Sequence, residues 1–195
     1  MGEHPAHNRS VPGSNPGGPK QRMDKVFVYV DGKARSGAGE AGIGIAITDK
    51  DGNVLEEVSH LIGRTTSEVA EYRALIEGAR RAQAYSPGSA IFFVDNQNLA
   101  NGINGVFASR QPHLRHLIEA AKALLNEFPQ WRVNLIDGDA NRLAQRLVEQ
   151  AFHNRIQAQV TRERLELRLL ARASRLADEE MEELIRHAER LGEKD

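Results

Sequence analysis

The spacing of apolar positions changes period several times along this chain, and each change marks an element. Val26 to Val30 is an unbroken apolar run, the pattern of a strand covered on both faces. Gly42 to Thr48 (GIGIAIT) predicts a second strand, and Asp51-Gly52 supplies a two-residue hairpin signal into a third, Val54 to Ile62. The period then becomes helical from about Glu68 to Ala84, where Ser86-Pro87-Gly88 stops it. Ala90 to Val94 reads as a short buried strand, Leu99 to Val106 as a short helix, and Leu114 to Phe128 as a longer helix closed by Pro129. Trp131 to Ile136 alternates as a strand, and Asp137-Gly138-Asp139 turns into a helix from about Asn141. The order β-β-β-α-β-α-α-β-α predicts an α/β domain: a mixed five-stranded sheet, three antiparallel strands then two further strands, with helices on both faces.

The two ends follow different rules. Residues 1–22 are rich in Pro, Gly, Ser and Asn with almost no apolar content, so they are expected to form a disordered leader; Met23 stands where a compact domain would begin. Such a leader is a tag, an upstream extension or a misplaced start. The domain itself is expected over 24–153. Over 154–195 apolar residues recur at helical spacing amid dense alternating charge, with no strand signal. This predicts a C-terminal helical extension, in the form of a hairpin of two helices with Ser174 or Asp178 capping the second. It is either a solvated helix laid on the domain or an arm for a homodimer or protein partner.

Composition narrows the chemistry. The 195 residues, 40% apolar, suffice for one sizeable core, and the absence of cysteine excludes disulfides, thiolate metal sites and thiol nucleophiles. No apolar stretch approaches the roughly 20 residues of a membrane helix, and no secretory h-region precedes residue 23, so the expected location is cytoplasmic and no membrane contact is expected. Twenty-six Lys and Arg against 27 Asp and Glu leave a charge of −1, which advertises no global attraction to nucleic acid but permits a local patch.

Three acids stand where elements hand their ends to a common place. Asp31 closes the first strand run, Asp95 closes the fourth, and Glu71 heads the helical stripe Ala74, Leu75, Gly78, Ala79, Ala82. Every other member of that stripe is small or apolar, and Glu is almost never buried unpaired. The small residues let the helix approach the sheet and carry the carboxylate toward the strand ends. Three carboxylates in water-poor surroundings repel by about 4 kcal/mol per pair at about 4 Å and an effective dielectric near 20, and a divalent metal ion is the ordinary offset.

The stretches VYVDGKARSGAGEAGIGIAITDKDG, TTSEVAEYRALIEGARRA and IFFVDNQNLANGINGVF together resemble type 1 ribonuclease H, in particular its compact reverse-transcriptase-like branch, over about Lys25 to Phe152. The resemblance implies a ribonuclease H-like fold and an endonuclease that hydrolyses the RNA strand of an RNA/DNA hybrid by a two-metal mechanism. It implies Asp31, Glu71 and Asp95 as both catalytic residues and ligands of Mg²⁺, with Mn²⁺ as a substitute. Gly32, Ser67 and Asn96 fall where such enzymes meet the substrate, whose 2′-hydroxyl distinguishes RNA from DNA.

The chain also departs from that family. Gln145 stands in the fourth acidic position, Gly138 where relatives often carry Arg or His, and Glu68 beside the expected path of a phosphate backbone. Reduced activity is the expectation that follows. The alternative is a catalytically weakened ribonuclease H fold that serves as a nucleic-acid-binding or interaction module through its tail. Gly37 to Gly42 matches GxGxxG but runs into a strand, so a hairpin loop explains it. His113 and His116 read as helix-surface residues, and His60 as a satisfied structural histidine.

Overall fold

In the computed structural model of the chain, which describes residues 23–106, 109–174 and 176–192, five strands form one mixed sheet. The expected leader lies outside these residues. Strands β1 (Lys25–Ala34), β2 (Glu40–Thr48) and β3 (Val54–Arg64) make an antiparallel meander. Helix α1 (Ser67–Gln83) crosses over to β4 (Ser89–Val94), parallel to β1, and helices α2 (Gln97–Ile103) and α3 (Pro112–Leu125) lead to β5 (Trp131–Leu135), parallel to β4. A 3₁₀ turn at Gly138–Asn141 enters α4 (Arg142–Ala173), and α5 (Asp178–Gly192) follows. The strand order is β3-β2-β1-β4-β5.

Helices cover both faces of the sheet, and glycines set how closely. On β1, Val26, Val28 and Val30 are buried beneath α1. A Cβ on Gly78 of α1 would lie 2.9 Å from Val30 Cγ1 and 3.1 Å from Val28 Cγ1. Side chains alternate along a strand, so Gly44 of β2 faces the other way, toward α4. A Cβ there would stand 2.1 Å from the Ala144 carbonyl oxygen, a contact that forces backbone to move. The main core lies on the α1 side, with Leu75, Phe92, Leu99 and Leu125 among its fully buried members. On the α4 side the contact is made by small strand residues against Ala144, Leu147, Val148, Ala151 and Phe152, all buried.

Three elements differ from their sequence-based outlines. β1 does not end at Asp31 but continues to Ala34, because Asp31, Gly32, Lys33 and Ala34 keep their pairing with β2. What ends there is the pairing with β4, whose last register pair is Tyr29 with Phe93. The hairpin between β2 and β3 is longer than two residues: Asp49 accepts hydrogen bonds from the backbone of Asp51 and Asn53, and Gly52 takes φ of 83°. Carboxylate capping by Asp49 thus organises the turn that Asp51-Gly52 only announced. Finally, α4 runs without a break through residues 153 and 154, so the extension begins inside the domain's last helix. At its far end, Glu180 reaches back to the Ala177 N–H at 2.9 Å, half of a capping box, and opens α5.

Candidate active site

The split between β1 and β4 makes the site. Where two parallel strands of an open sheet separate, a crevice opens at their carboxyl ends. Asp31 and Asp95 follow the last shared pair on the two sides of this split. Asn141, fully buried, spans from the start of α4 and donates its Nδ2 to the Val30 carbonyl at 3.0 Å. Its Oδ1 is buried with no hydrogen-bond partner.

Glu71 arrives from α1, and Gly32 is what lets it. A Cβ at Gly32 would lie 2.2 Å from the Ala70 carbonyl carbon and 2.4 Å from the Glu71 backbone nitrogen, so the helix crosses the strand with backbone against backbone. The first turn is then tied down twice. Thr66 accepts from the Val69 N–H as the N-cap, and Ser67 Oγ accepts from the Ala34 N–H at 2.9 Å. Ser67 therefore joins the extended tail of β1 to the head of α1.

These pieces enclose a cleft of about 540 Å³, lined by Asp31, Gly32, Ser67, Glu71 and Asp95, with Gln145 and Arg146 among the α4 residues on its rim. The charges repel one another there. Burial pushes the Asp31 carboxyl up to about 6, with Asp95 adding to the shift, while the Gly32 N–H and Lys33 oppose it. Burial likewise pushes Glu71 up to about 8; a hydrogen bond from Asn96 opposes this, and Asp31 and Asp95 reinforce it. Glu71 Oε2 is buried without a hydrogen-bond partner.

The carboxylates share a cleft without forming a finished cage. Among the described residues, no three His, Cys, Asp or Glu side chains stand together as a ready ion site. Each acid also has a hydrogen-bond partner inside the protein. Asp31 Oδ1 accepts from the Gly32 N–H at 2.8 Å, and Asp95 Oδ2 accepts from Gln145 Nε2 at 2.8 Å. Asn96 stands behind Glu71, and its Oδ1 also accepts from the backbone of Asn98 and Leu99 as the N-cap of α2. Gln145 is thus a donor to Asp95, and a Cβ on Gly138 would sit 3.1 Å from its Nε2. The glycine at 138 leaves room for that amide.

The reverse transcriptase-like pattern matches residues 29–151, more than half the chain and the whole of this site. The chain belongs to the reverse transcriptase-like family. Its relatives agree with the fold. It is 29% identical over 131 residues to ribonuclease HI of Halobacterium salinarum, a match over 67% of this chain and 66% of that protein. The crystal structure of RNase H1 from that archaeon superimposes with a TM-score of 0.65 at 28% identity, over 67% of this chain and 98% of that one. The N-terminal RNase H domain of the bifunctional protein Rv2228c from Mycobacterium tuberculosis gives 0.63 at 32% identity, over 65% and 98%; the chain spans 35% of the full-length Rv2228c. LC11-RNase H1 solved with an RNA/DNA hybrid gives 0.63 at 31% identity, over 67% and 99%.

Within this family member, the residues singled out from sequence stand as follows. Asp31, Gly32, Ser67, Glu71 and Asp95 line one cleft, whereas Asn96 is turned inward onto Glu71 and the α2 backbone. His113 and His116 are exposed on α3, and His60 is an exposed residue of β3 instead of a satisfied interior one. Sequence reasoning missed the rim. Lys33 pairs with Glu149 and Arg146 with Glu57, each joining residues far apart in the chain, so no local spacing reveals them. The position of Asn141 before a helix was the one available signal, and it does not say which carbonyl the side chain serves.

Proposed function

We propose that this chain is a divalent-metal-dependent ribonuclease H that hydrolyses the RNA strand of RNA/DNA hybrids, with activity reduced by Gln145. The observation that carries the reading is the charge held in one cleft: Asp31 and Glu71, both raised well above the usual carboxylate range, share it with Asp95. Buried oxygen donors with unmet charge suit a hard cation such as Mg²⁺ or Mn²⁺, and the partnerless Glu71 Oε2 is such a donor. Asp31, Glu71 and Asp95 would hold the metal. When bound, divalent ions supply the activated water and the charge stabilisation of the leaving oxygen.

The chain's own residues do the positioning. Gly32 admits α1 so that Glu71 reaches the cleft, Asn96 orients Glu71 from behind, and Ser67 places the helix end at the rim where a substrate ribose and phosphate would lie. Gln145 gives up one carbonyl oxygen where an acid would give a charge, and its amide holds Asp95. The crystal structure of LC11-RNase H1 in complex with an RNA/DNA hybrid supports hybrid as the substrate class.

A second reading, a ribonuclease H fold retained as a binding module, draws on the same Gln145–Asp95 hydrogen bond, because that bond engages an oxygen the metal would need. A cleavage assay on hybrid, double-stranded RNA and single-stranded RNA with Mg²⁺ and with Mn²⁺ decides between them. The nuclease reading expects hybrid cleavage that disappears in Asp31→Asn. Inactivity of the folded protein on every substrate with both ions would favour the module.

A further inference from the structure

We propose that the free-standing half of α4, together with α5, is a dimerisation element that packs against the same two helices of a second copy of this chain. The inference is independent of the cleft and its chemistry. After Phe152, α4 leaves the domain: every residue from His153 to Arg172 is exposed. Over about 20 residues at 1.5 Å each, this is roughly 30 Å of helix in water.

Its apolar residues are not scattered. Ile156, Val160, Leu167 and Leu170, exposed by 43% to 67%, fall on one side of the helix. Ala158, Leu165 and Leu169 fall on the opposite side, at a spacing of seven and then four. A helix with two apolar seams on opposite sides needs two neighbours. Helix α5 carries one seam only, Met181, Leu184, Ile185 and Ala188, with Leu184 38% and Ile185 50% exposed. One α5 can cover one seam of α4, so the other requires a helix from outside the chain.

Charge says which helix. From His153 to Ala173 there are five arginines against two glutamates, whereas α5 carries six acids against two arginines. The two helices are complementary in sign. Among the described residues, no ion pair or side-chain hydrogen bond joins α5 to the exposed half of α4; apart from Arg155, which pairs with Glu40 of β2, the arm's ion pairs are local, as in Arg162 with Glu166 and Arg186 with Glu182. A second copy offers both a basic helix and an acidic one, each with apolar seams, and a two-fold arrangement pairs them reciprocally. A dimer in which the two α4 arms pack against each other through one seam, each with an α5 over its opposite seam, buries all the seams and sets opposite charges along the α4–α5 edges. A phosphate backbone would satisfy the arginines but leave the leucines in water and repel α5.

The test is the solution mass of the full chain at tens of micromolar by light scattering or sedimentation. We expect twice 21.6 kDa. The double substitution Val160→Glu with Leu167→Glu changes exposed residues, so circular dichroism should keep its helical signal while the mass falls to one chain. Leu165→Glu on the opposite seam should do the same, and Glu182→Lys with Glu183→Lys should weaken the dimer at least tenfold. Affinity for an RNA/DNA hybrid, read by fluorescence anisotropy, should stay unchanged in all three variants. A wild-type mass of one chain, a dimer that survives both seam variants, or a loss of hybrid affinity at unchanged mass would each overturn the proposal; the last would make the arm a nucleic-acid contact.

Discussion

The first three turns of α4 and its remaining length are one continuous helix built to opposite plans. In the first part, Ala144, Leu147, Val148 and Ala151 are buried against β2, where Gly44 lets the backbones touch, and Gln145 reaches the acid cleft. In the second, leucines with up to 67% exposure alternate with arginines and glutamates, and no sheet lies beneath them. Helical propensity does not separate the two halves; neighbours do. The cleft region spends stability on holding like charges close together, while the arm carries apolar surface that only association can bury.

This contrast can be broken at several points, and the largest effect belongs to the cleft. Asp31→Asn should lower hybrid cleavage by on the order of 10³-fold or more, measured as initial rate with Mg²⁺ or Mn²⁺. A rate within tenfold of the parent would remove Asp31 from the chemistry. Next in size, Gly32→Ala should destabilise the fold by about 3 kcal/mol in denaturant titration, since its Cβ would stand 2.2 Å from α1 backbone that cannot retreat alone. An unchanged midpoint would show that α1 does not need that approach.

The charge in the cleft predicts an opposite sign for Glu71→Gln. Glu71 has a folded-state pKa of about 8 against an ordinary 4.5, so the folded chain binds its proton more tightly than the unfolded chain does. The stability tied to that proton is complete below pH 4.5 and is lost as pH rises toward 8. Asp31 loses its share between 3.8 and about 6. In metal-free buffer at pH 7, Glu71→Gln should therefore stabilise the protein by on the order of 3 kcal/mol, with almost no gain at pH 4. Equal effects at both pH values would mean that ionisation is not the cause.

Smaller effects separate the fourth position from the arm. Gln145→Asp replaces the amide donor of Asp95 with a charge, and should raise cleavage and divalent-ion affinity by roughly tenfold, about 1.4 kcal/mol. No change in calorimetric ion binding would show that the position does not face the ion. Finally, Leu167→Ala in the arm should alter stability by less than about 0.5 kcal/mol at concentrations where the chain is monomeric, because the side chain is already 67% exposed. A loss of several kcal/mol would place an intramolecular partner over that seam.

Read as a string, the chain determined its element order, its sheet class and the three acids of the cleft, because these depend on local periodicity and on the placement of acids beside apolar runs. Val26 to Val30 and the stripe behind Glu71 are short-range patterns, and short-range patterns survive without coordinates. The tertiary structure alone decided where β1 parts from β4, that Gly32 is a contact surface for a helix, that Asn96 serves Glu71 from behind, and that Gln145 holds Asp95. It also decided that α4 runs unbroken past residue 153, whereas composition suggested a new unit there. Each of these joins residues that are distant along the chain or turns on which neighbour a group meets. Their energies come from approach distance and burial, which no spacing rule encodes.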